Sequence, residues 1–221
     1  LGAKHLNFTS SSAQKSGRLG LMLLSTTKKL NSMADIFKQI GASNHTEKQR
    51  QQEDYYATEP KAMELLLEQE TFSDNVWECA CGEKHLSKVL EAHHYNVRSS
   101  DIVDRCGNEI FDFLDMGNTT WNGDIITNPP FKYATEFVEK ALSIIPDWNK
   151  VAMFLKIQFL EGKGRRELFN VAPPYRIYIF SSRVNCAMNG DFETYKVNSA
   201  VAYAWFIWKK GYKGRPEIFW I

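Results

Sequence analysis

No stretch of this 221-residue sequence approaches the roughly 18 apolar residues that a membrane-spanning helix needs. The apolar stretch nearest the start, residues 19–24, follows Lys15 and Arg18. It is short for a signal-peptide core, and no small-x-small cleavage pattern follows it. Cysteine is also scarce. Cys79, Cys81, Cys106 and Cys186 are too few in a chain this long for a disulfide scaffold. Net charge is nearly absent at +1, which excludes a uniformly basic nucleic-acid coat and leaves room for a local basic patch. These absences point to a soluble intracellular protein. What is present is ordinary for a globular chain: 43% hydrophobic and 24% charged residues, with room for one domain and a tail.

The small net charge conceals an asymmetry. Residues 1–50 hold 8 Lys and Arg against 2 Asp and Glu, whereas residues 51–221 hold 19 against 24. Only Phe8 and Phe37 of the 29 aromatic residues lie in the first fifty. The chain therefore divides into a basic, aromatic-poor leader and linker over 1–50, expected to be poorly ordered, and an acidic, aromatic-rich domain over 51–221. Met33 opens a plausible short helix and is a candidate translational start.

From Pro60 the pattern becomes regular. Ala62, Leu65, Leu66 and Leu67 predict an amphipathic helix with Pro60 in its first turn. Strands are expected at 75–79, 95–99, 124–127, 151–156, 176–180 and 200–208, and helices at 85–93, 134–145 and 165–169. Residues 110–114 are a strand edge or loop. Strands alternating with helices predict an α/β open sheet. The last two strands lack a crossover helix between them, so they are expected to be antiparallel.

Two segments at expected strand ends carry chemistry, since ligands of open α/β sheets bind outside the carboxyl ends of the strands. In the first, Glu78-Cys-Ala80-Cys81-Gly82 runs from strand into helix, and Gly82 allows a tight turn and close ligand approach. Asp101 follows about twenty residues later and can accept from ribose hydroxyls. Cys79-x-Cys81, with Cys106 and His85, could begin a metal site. Zinc sites usually show two spaced pairs, so these are read as small buried thiols and no metal is expected. In the second, Asn128-Pro129-Pro130-Phe131 closes an apolar strand. Proline fixes the backbone and donates no hydrogen bond, leaving carbonyls and the Asn128 amide oxygen to accept from an amine, beside a flat Phe131 ring. The set suits a planar base bearing an exocyclic amine.

The Asn-Pro-Pro-Phe tetrad resembles the catalytic motif of amino-group methyltransferases that use S-adenosylmethionine. The wording of the chain is closest to small phage- and prophage-type DNA adenine-N6 methyltransferases. The resemblance covers residues 54–208 and implies a Rossmann-like class I methyltransferase open sheet, mostly parallel with an antiparallel C-terminal strand. It implies transfer of a methyl group to the N6 amine of adenine in DNA, by Asn128, Pro129, Pro130 and Phe131. It also implies a cytoplasmic setting in a bacterium or phage-infected host cell. Residues 54–60, with Tyr56, Thr58 and Pro60, look like the segment that contacts the methionine end of the cofactor. Glu78, Ala80, Cys81 and Gly82 look like the cofactor loop, Asp101 and Ile102 like the ribose-binding pair, and Asp112 and Phe113 like the segment against the cofactor adenine. Between the last two strands, Phe192 or Tyr195 resembles the aromatic offered to a flipped base, with Arg183 nearby; Lys163, Arg165 and Arg166 are candidate substrate contacts.

The chain departs from the pattern at Lys84, where a second loop glycine is usual; a lysine there would be strained if its φ were positive. It also has no long insertion to serve as a target-recognition domain. The tetrad occurs in enzymes acting on RNA adenine or protein glutamine, so these substrates stay open, as does a non-catalytic nucleic-acid-binding relative.

Overall fold

The computed structural model describes residues 56–115, 117, 119–188, 192 and 201–221. The basic leader and Tyr195 lie outside the described residues.

Among the described residues, ten strands and four α-helices follow one another as β1 (Tyr56–Thr58), α1 (Pro60–Leu67), β2 (Asn75–Glu78), α2 (His85–Ala92), β3 (Asn96–Asp101), β4 (Glu109–Ile110), β5 (Asp124–Thr127), α3 (Ala134–Ile144), β6 (Lys150–Lys156), α4 (Arg166–Val171), β7 (Arg176–Ile179), β8 (Cys186–Met188), β9 (Tyr203–Lys209) and β10 (Glu217–Trp220). A 3₁₀ turn at Phe131–Tyr133 leads into α3. Eight strands form one sheet in the order β10-β7-β9-β6-β5-β2-β3-β4. Only β9 runs against the other seven, pairing antiparallel with β6 and β7. The expected mostly parallel sheet, with its late antiparallel pair, is what forms.

Strand composition places the core on both faces of the sheet. In β9, Ala204, Phe206 and Trp208 join Phe137, Val138 and Ala141 of α3. The alternate residues Tyr203, Trp205 and Ile207 join Ala62, Met63 and Leu66 of α1 and Leu86, Val89 and Leu90 of α2. Period-2 side chains thus meet helices on either side, as a doubly covered sheet requires. The helix ends follow their sequence as well. Pro60 opens α1. At the end of α3, Ile145 is extended, as the residue before Pro146 must be.

Two elements escaped the sequence reading. β1 and β8 pair antiparallel as a separate two-stranded ribbon, with Thr58 opposite Cys186. β10 adds a parallel edge strand beside β7.

The amino ends of the strands are tied by buried acids. Asp124 accepts from the backbone of Ser73 at 2.6 Å, the backbone of Lys150 at 2.7 Å and the Asn149 amide at 2.8 Å. Glu70, after α1, accepts from Lys150, Arg176 and Tyr178. No described helix is long and apolar enough to cross a membrane.

Candidate active site

The chain visits β2, β3 and β4 on one side, then returns to place β5 on the other side of β2. That reversal opens a crevice beyond the carboxyl ends of β2 and β5. The register pairs Trp77 with Ile125, so the turn around Gly82 and the tetrad leave the sheet side by side.

The loop after β2 is held by its own backbone. Gly82 has a φ of 51° and donates its N–H to the Asp101 carboxylate at 2.9 Å. The Cys81 N–H donates to the Ser100 carbonyl at 3.0 Å. Asp101 also accepts from the Val103 N–H at 3.2 Å, so two backbone amides fix its carboxylate beside the glycine turn. Ile102 is 58% exposed and presents an apolar surface beyond it. Glu78 lies beneath the loop, 2% exposed. It accepts from the Ser87 N–H at 2.8 Å and from the Ser87 hydroxyl, clamping the first turn of α2. Burial pushes this carboxyl up to about 8 against the opposing pull of those hydrogen bonds, and the neighbouring Asp101 charge adds to the rise. Glu78 therefore braces the loop after β2 from within the fold. Cys79 and Cys81 are buried thiols, and Cys106 is exposed.

Lys84 adopts the left-handed conformation, with φ 62° and ψ 34°, as the residue before α2. Its ammonium donates to the Gly107 carbonyl at 3.1 Å on the exposed side of the loop. A left-handed non-glycine residue costs about 1–2 kcal/mol, partly offset by the smaller entropy loss relative to glycine. Lys84→Gly should therefore raise the melting temperature by roughly 2 °C. Lys84→Ala, which keeps the strain, should not; equal melting of the glycine and alanine variants would show the strain to be absent.

At the tetrad, the Asn128 amide nitrogen donates to the Tyr56 carbonyl at 2.7 Å and lies 3.8 Å from the Cys186 sulfur. The β1–β8 ribbon thus fixes which way the amide faces. Its oxygen is buried and has no hydrogen-bond partner among the described residues. Pro129 is buried, and its carbonyl takes no hydrogen bond among the described residues. The Pro130 carbonyl is occupied by the Tyr133 N–H at 2.8 Å. Phe131 lies 6.0 Å from Tyr203, ring centre to ring centre, and 4.7 Å below the Lys156 ammonium. Burial pushes the Cys186 thiol up to about 11. The Thr58 hydroxyl on β1 and the Thr127 hydroxyl that ends β5 are also buried without a hydrogen-bond partner among the described residues. An unfilled buried acceptor such as the Asn128 oxygen is what a site for an amine donor requires.

Other expected residues fall differently. Phe113 is 1% exposed and packs edge-on against Trp77 at 5.3 Å and on Phe137 at 5.0 Å. Its ring packs within the core beneath Asp112. Asp112 is exposed, and its carboxylate accepts from the Leu114 N–H at 2.9 Å. The Phe192 ring stands edge-on to His85 at 5.4 Å, over the start of α2 and not beside Phe131. Arg183 is exposed and donates to the Val201 carbonyl at 3.3 Å. Arg165 turns back onto the carbonyls of Phe159, Gln158 and Glu161. Sequence reading missed Cys186, Tyr203 and Lys156. Lys156 alone carried a usable signal, as a charged residue closing an apolar strand.

The chain matches no protein-family model and no curated protein. Its likeness is to solved structures at low identity. The type IIG restriction endonuclease BpuSI is 13% identical over 75% of this chain and 26% of its own, with a TM-score of 0.51. A protein from Vibrio vulnificus YJ016, described as the modification subunit of a type I restriction enzyme, is 12% identical over 96% of this chain and 53% of its own, also at 0.51. A protein of Listeria monocytogenes assigned as a class I S-adenosylmethionine-dependent methyltransferase is 12% identical over 73% of this chain and 61% of its own, at 0.46. This chain thus spans less than two thirds of the length of each. The feature shared with the two structures at 0.51 is the fold: a Rossmann-like, mostly parallel α/β open sheet.

Proposed function

We propose that the chain transfers a methyl group from S-adenosylmethionine to the N6 amine of adenine in DNA. The observation that carries this reading is the buried, unpartnered Asn128 oxygen. It stands beside the free Pro129 carbonyl, with its amide turned by the Tyr56 carbonyl. A conjugated exocyclic amine has two N–H bonds and a poorly nucleophilic nitrogen. Asn128 and Pro129 can accept both hydrogens, draw the nitrogen toward tetrahedral geometry and aim its lone pair.

The residues around Gly82 fit the cofactor. Asp101 offers carboxylate oxygens to ribose hydroxyls, Ile102 an apolar surface to the adenine, and Gly82 an approach free of side chain. When bound, the cofactor supplies a methyl group on a positively charged sulfur. With the cofactor in place, Asn128 and Pro129 would hold the amine nitrogen toward that methyl; the nitrogen would gain the methyl carbon while sulfur kept the electron pair of the broken bond, and the extra amine proton would leave to water. No strong base is needed; placement contributes up to about 7–11 kcal/mol in favourable cases. The base must leave its stack to reach the tetrad, and Phe131 provides a ring worth on the order of 1–3 kcal/mol in stacking.

Labelled S-adenosylmethionine incubated with unmethylated DNA, followed by nucleoside mass spectrometry, should yield N6-methyladenine. Label found only in RNA or protein would overturn the DNA reading. Calorimetry showing no cofactor binding would overturn the enzyme reading.

A further inference from the structure

Residues Val151 to Leu155 of β6 are buried, and the strand then ends on a partly buried lysine. The Lys156 ammonium lies over the Phe131 ring, 4.7 Å from its centre, and close enough to Cys186 to act on that thiol electrostatically. Among the described residues it has no ion pair and no hydrogen bond. Lys209, partly buried at the end of β9 over the Trp148 and Tyr175 rings, likewise has no ion pair or hydrogen bond among the described residues, but several other lysines differ. At the opposite end of the same strand, Lys150 meets the Glu70 carboxylate and the Thr71 carbonyl. Lys140, Lys210 and Lys213 each donate to backbone carbonyls. A half-desolvated cation with its donors unfilled is costly, and a ring face compensates only in part. Lys156 is set apart from Lys209 by its place: it stands at the carboxyl end of β6, beside Phe131 and Cys186, with its donors open to an anion.

Strand order identifies which anion. Gly82, Asp101 and Ile102, the residues that fit the cofactor, follow β2 and β3. Asn128 follows β5, and Lys156 closes β6, on the side of β5 away from β2. With the cofactor over β2 and β3 and the amine at Asn128, Lys156 lies on the substrate side. The anions available there belong to the strand that carries the base.

We propose that Lys156 binds a phosphodiester flanking the target adenine, holding the extruded nucleotide against Phe131. The inference rests on the DNA reading above. Binding of the full chain to a short duplex should be measured between about 50 and 200 mM salt, the range over which phosphate contacts are most readily resolved. Lys156→Gln should weaken binding roughly fivefold and reduce the slope of log affinity against log salt by about one. It should raise the KM for DNA more than it lowers kcat and leave S-adenosylmethionine affinity unchanged; Lys156→Arg should restore the slope. An unchanged slope with a fall in kcat alone would overturn the proposal in favour of a support for the Phe131 ring. Weakened cofactor binding would overturn it in favour of the cofactor carboxylate. A wild-type chain that neither binds nor methylates the duplex would instead overturn the DNA reading itself.

Discussion

Asn128→Ala should lower methyl transfer by about 10²–10³-fold while S-adenosylmethionine affinity stays within about twofold. Loss of a single preorganised group at a reacting centre has effects of that size, because the site is fixed before charge develops and water cannot replace the lost partner at the same position. The geometry separates the two losses. The Asn128 oxygen faces the candidate amine position, whereas the residues that fit the cofactor follow β2 and β3. The substitution also removes the bond from the Asn128 nitrogen to the Tyr56 carbonyl, a stability cost of about 1 kcal/mol. A thermal melt should therefore show a small shift and a folded variant. Asn128→Asp tests the role of each end of the amide. It keeps an acceptor but sets a carboxylate against the Tyr56 carbonyl, so its activity should fall between those of asparagine and alanine while its stability drops below that of alanine. Equal loss of cofactor binding and turnover in Asn128→Ala would contradict the assignment.

Much of this arrangement was legible in the sequence because it depends on local patterns. Short β-forming segments bounded by polar residues announced β2 and β5, and longer apolar runs announced β6 and β9. Gly82 and the two prolines mark strand ends by backbone chemistry, and Lys84 stands where the resembling loops usually have a second glycine; its φ is 62°. The unread features depend on contacts between distant segments. Tyr56 and Cys186 meet across 130 residues, and nothing in either three-residue strand predicts the pairing that orients Asn128. Phe113 sits beside Asp112 in a stretch that resembles a cofactor contact, and only three-dimensional packing shows its ring between Trp77 and Phe137. β10 has a β-forming sequence, Glu-Ile-Phe-Trp, yet its place beside β7 follows from the return of the chain at Tyr212 to Pro216, and not from periodicity.

Glu70→Ala should lower the melting temperature by on the order of 10 °C without changing kcat in the folded fraction. Glu70 is 3% exposed. Its carboxylate accepts from Lys150 at 2.5 Å, Tyr178 at 2.7 Å and Arg176 at 2.8 Å. Lys150 and Arg176 are the first residues of β6 and β7, and Arg176 also reaches Glu217 of β10 at 3.3 Å. One buried acid thus holds two cations where three strands begin. Removing it leaves Lys150 hydrogen-bonded only to the Thr71 carbonyl and Arg176 only to Glu217 and Tyr178 among the described residues, a loss of about 3 kcal/mol, the lower end of the range for breaking a buried pair, and a domain of this size melts about 2–4 °C lower per kcal/mol. Burial alone would raise the Glu70 pKa, but hydrogen bonds from Lys150, Tyr178 and Arg176 outweigh it and hold the carboxyl below its ordinary value. The sign follows from proton binding. The unfolded chain takes up this proton at a higher pH than the folded one, so the stabilisation is complete above the unfolded carboxyl range and is lost as pH falls through the folded value. Wild type should therefore lose stability in acid more steeply than Glu70→Ala, and parallel acid limbs would show that the carboxylate is not held ionised. The network lies at the amino ends of the strands, while Asn128 and Asp101 lie at the carboxyl ends. A variant that melts early yet turns over normally would separate the acid that holds the sheet together from the residues assigned to the chemistry.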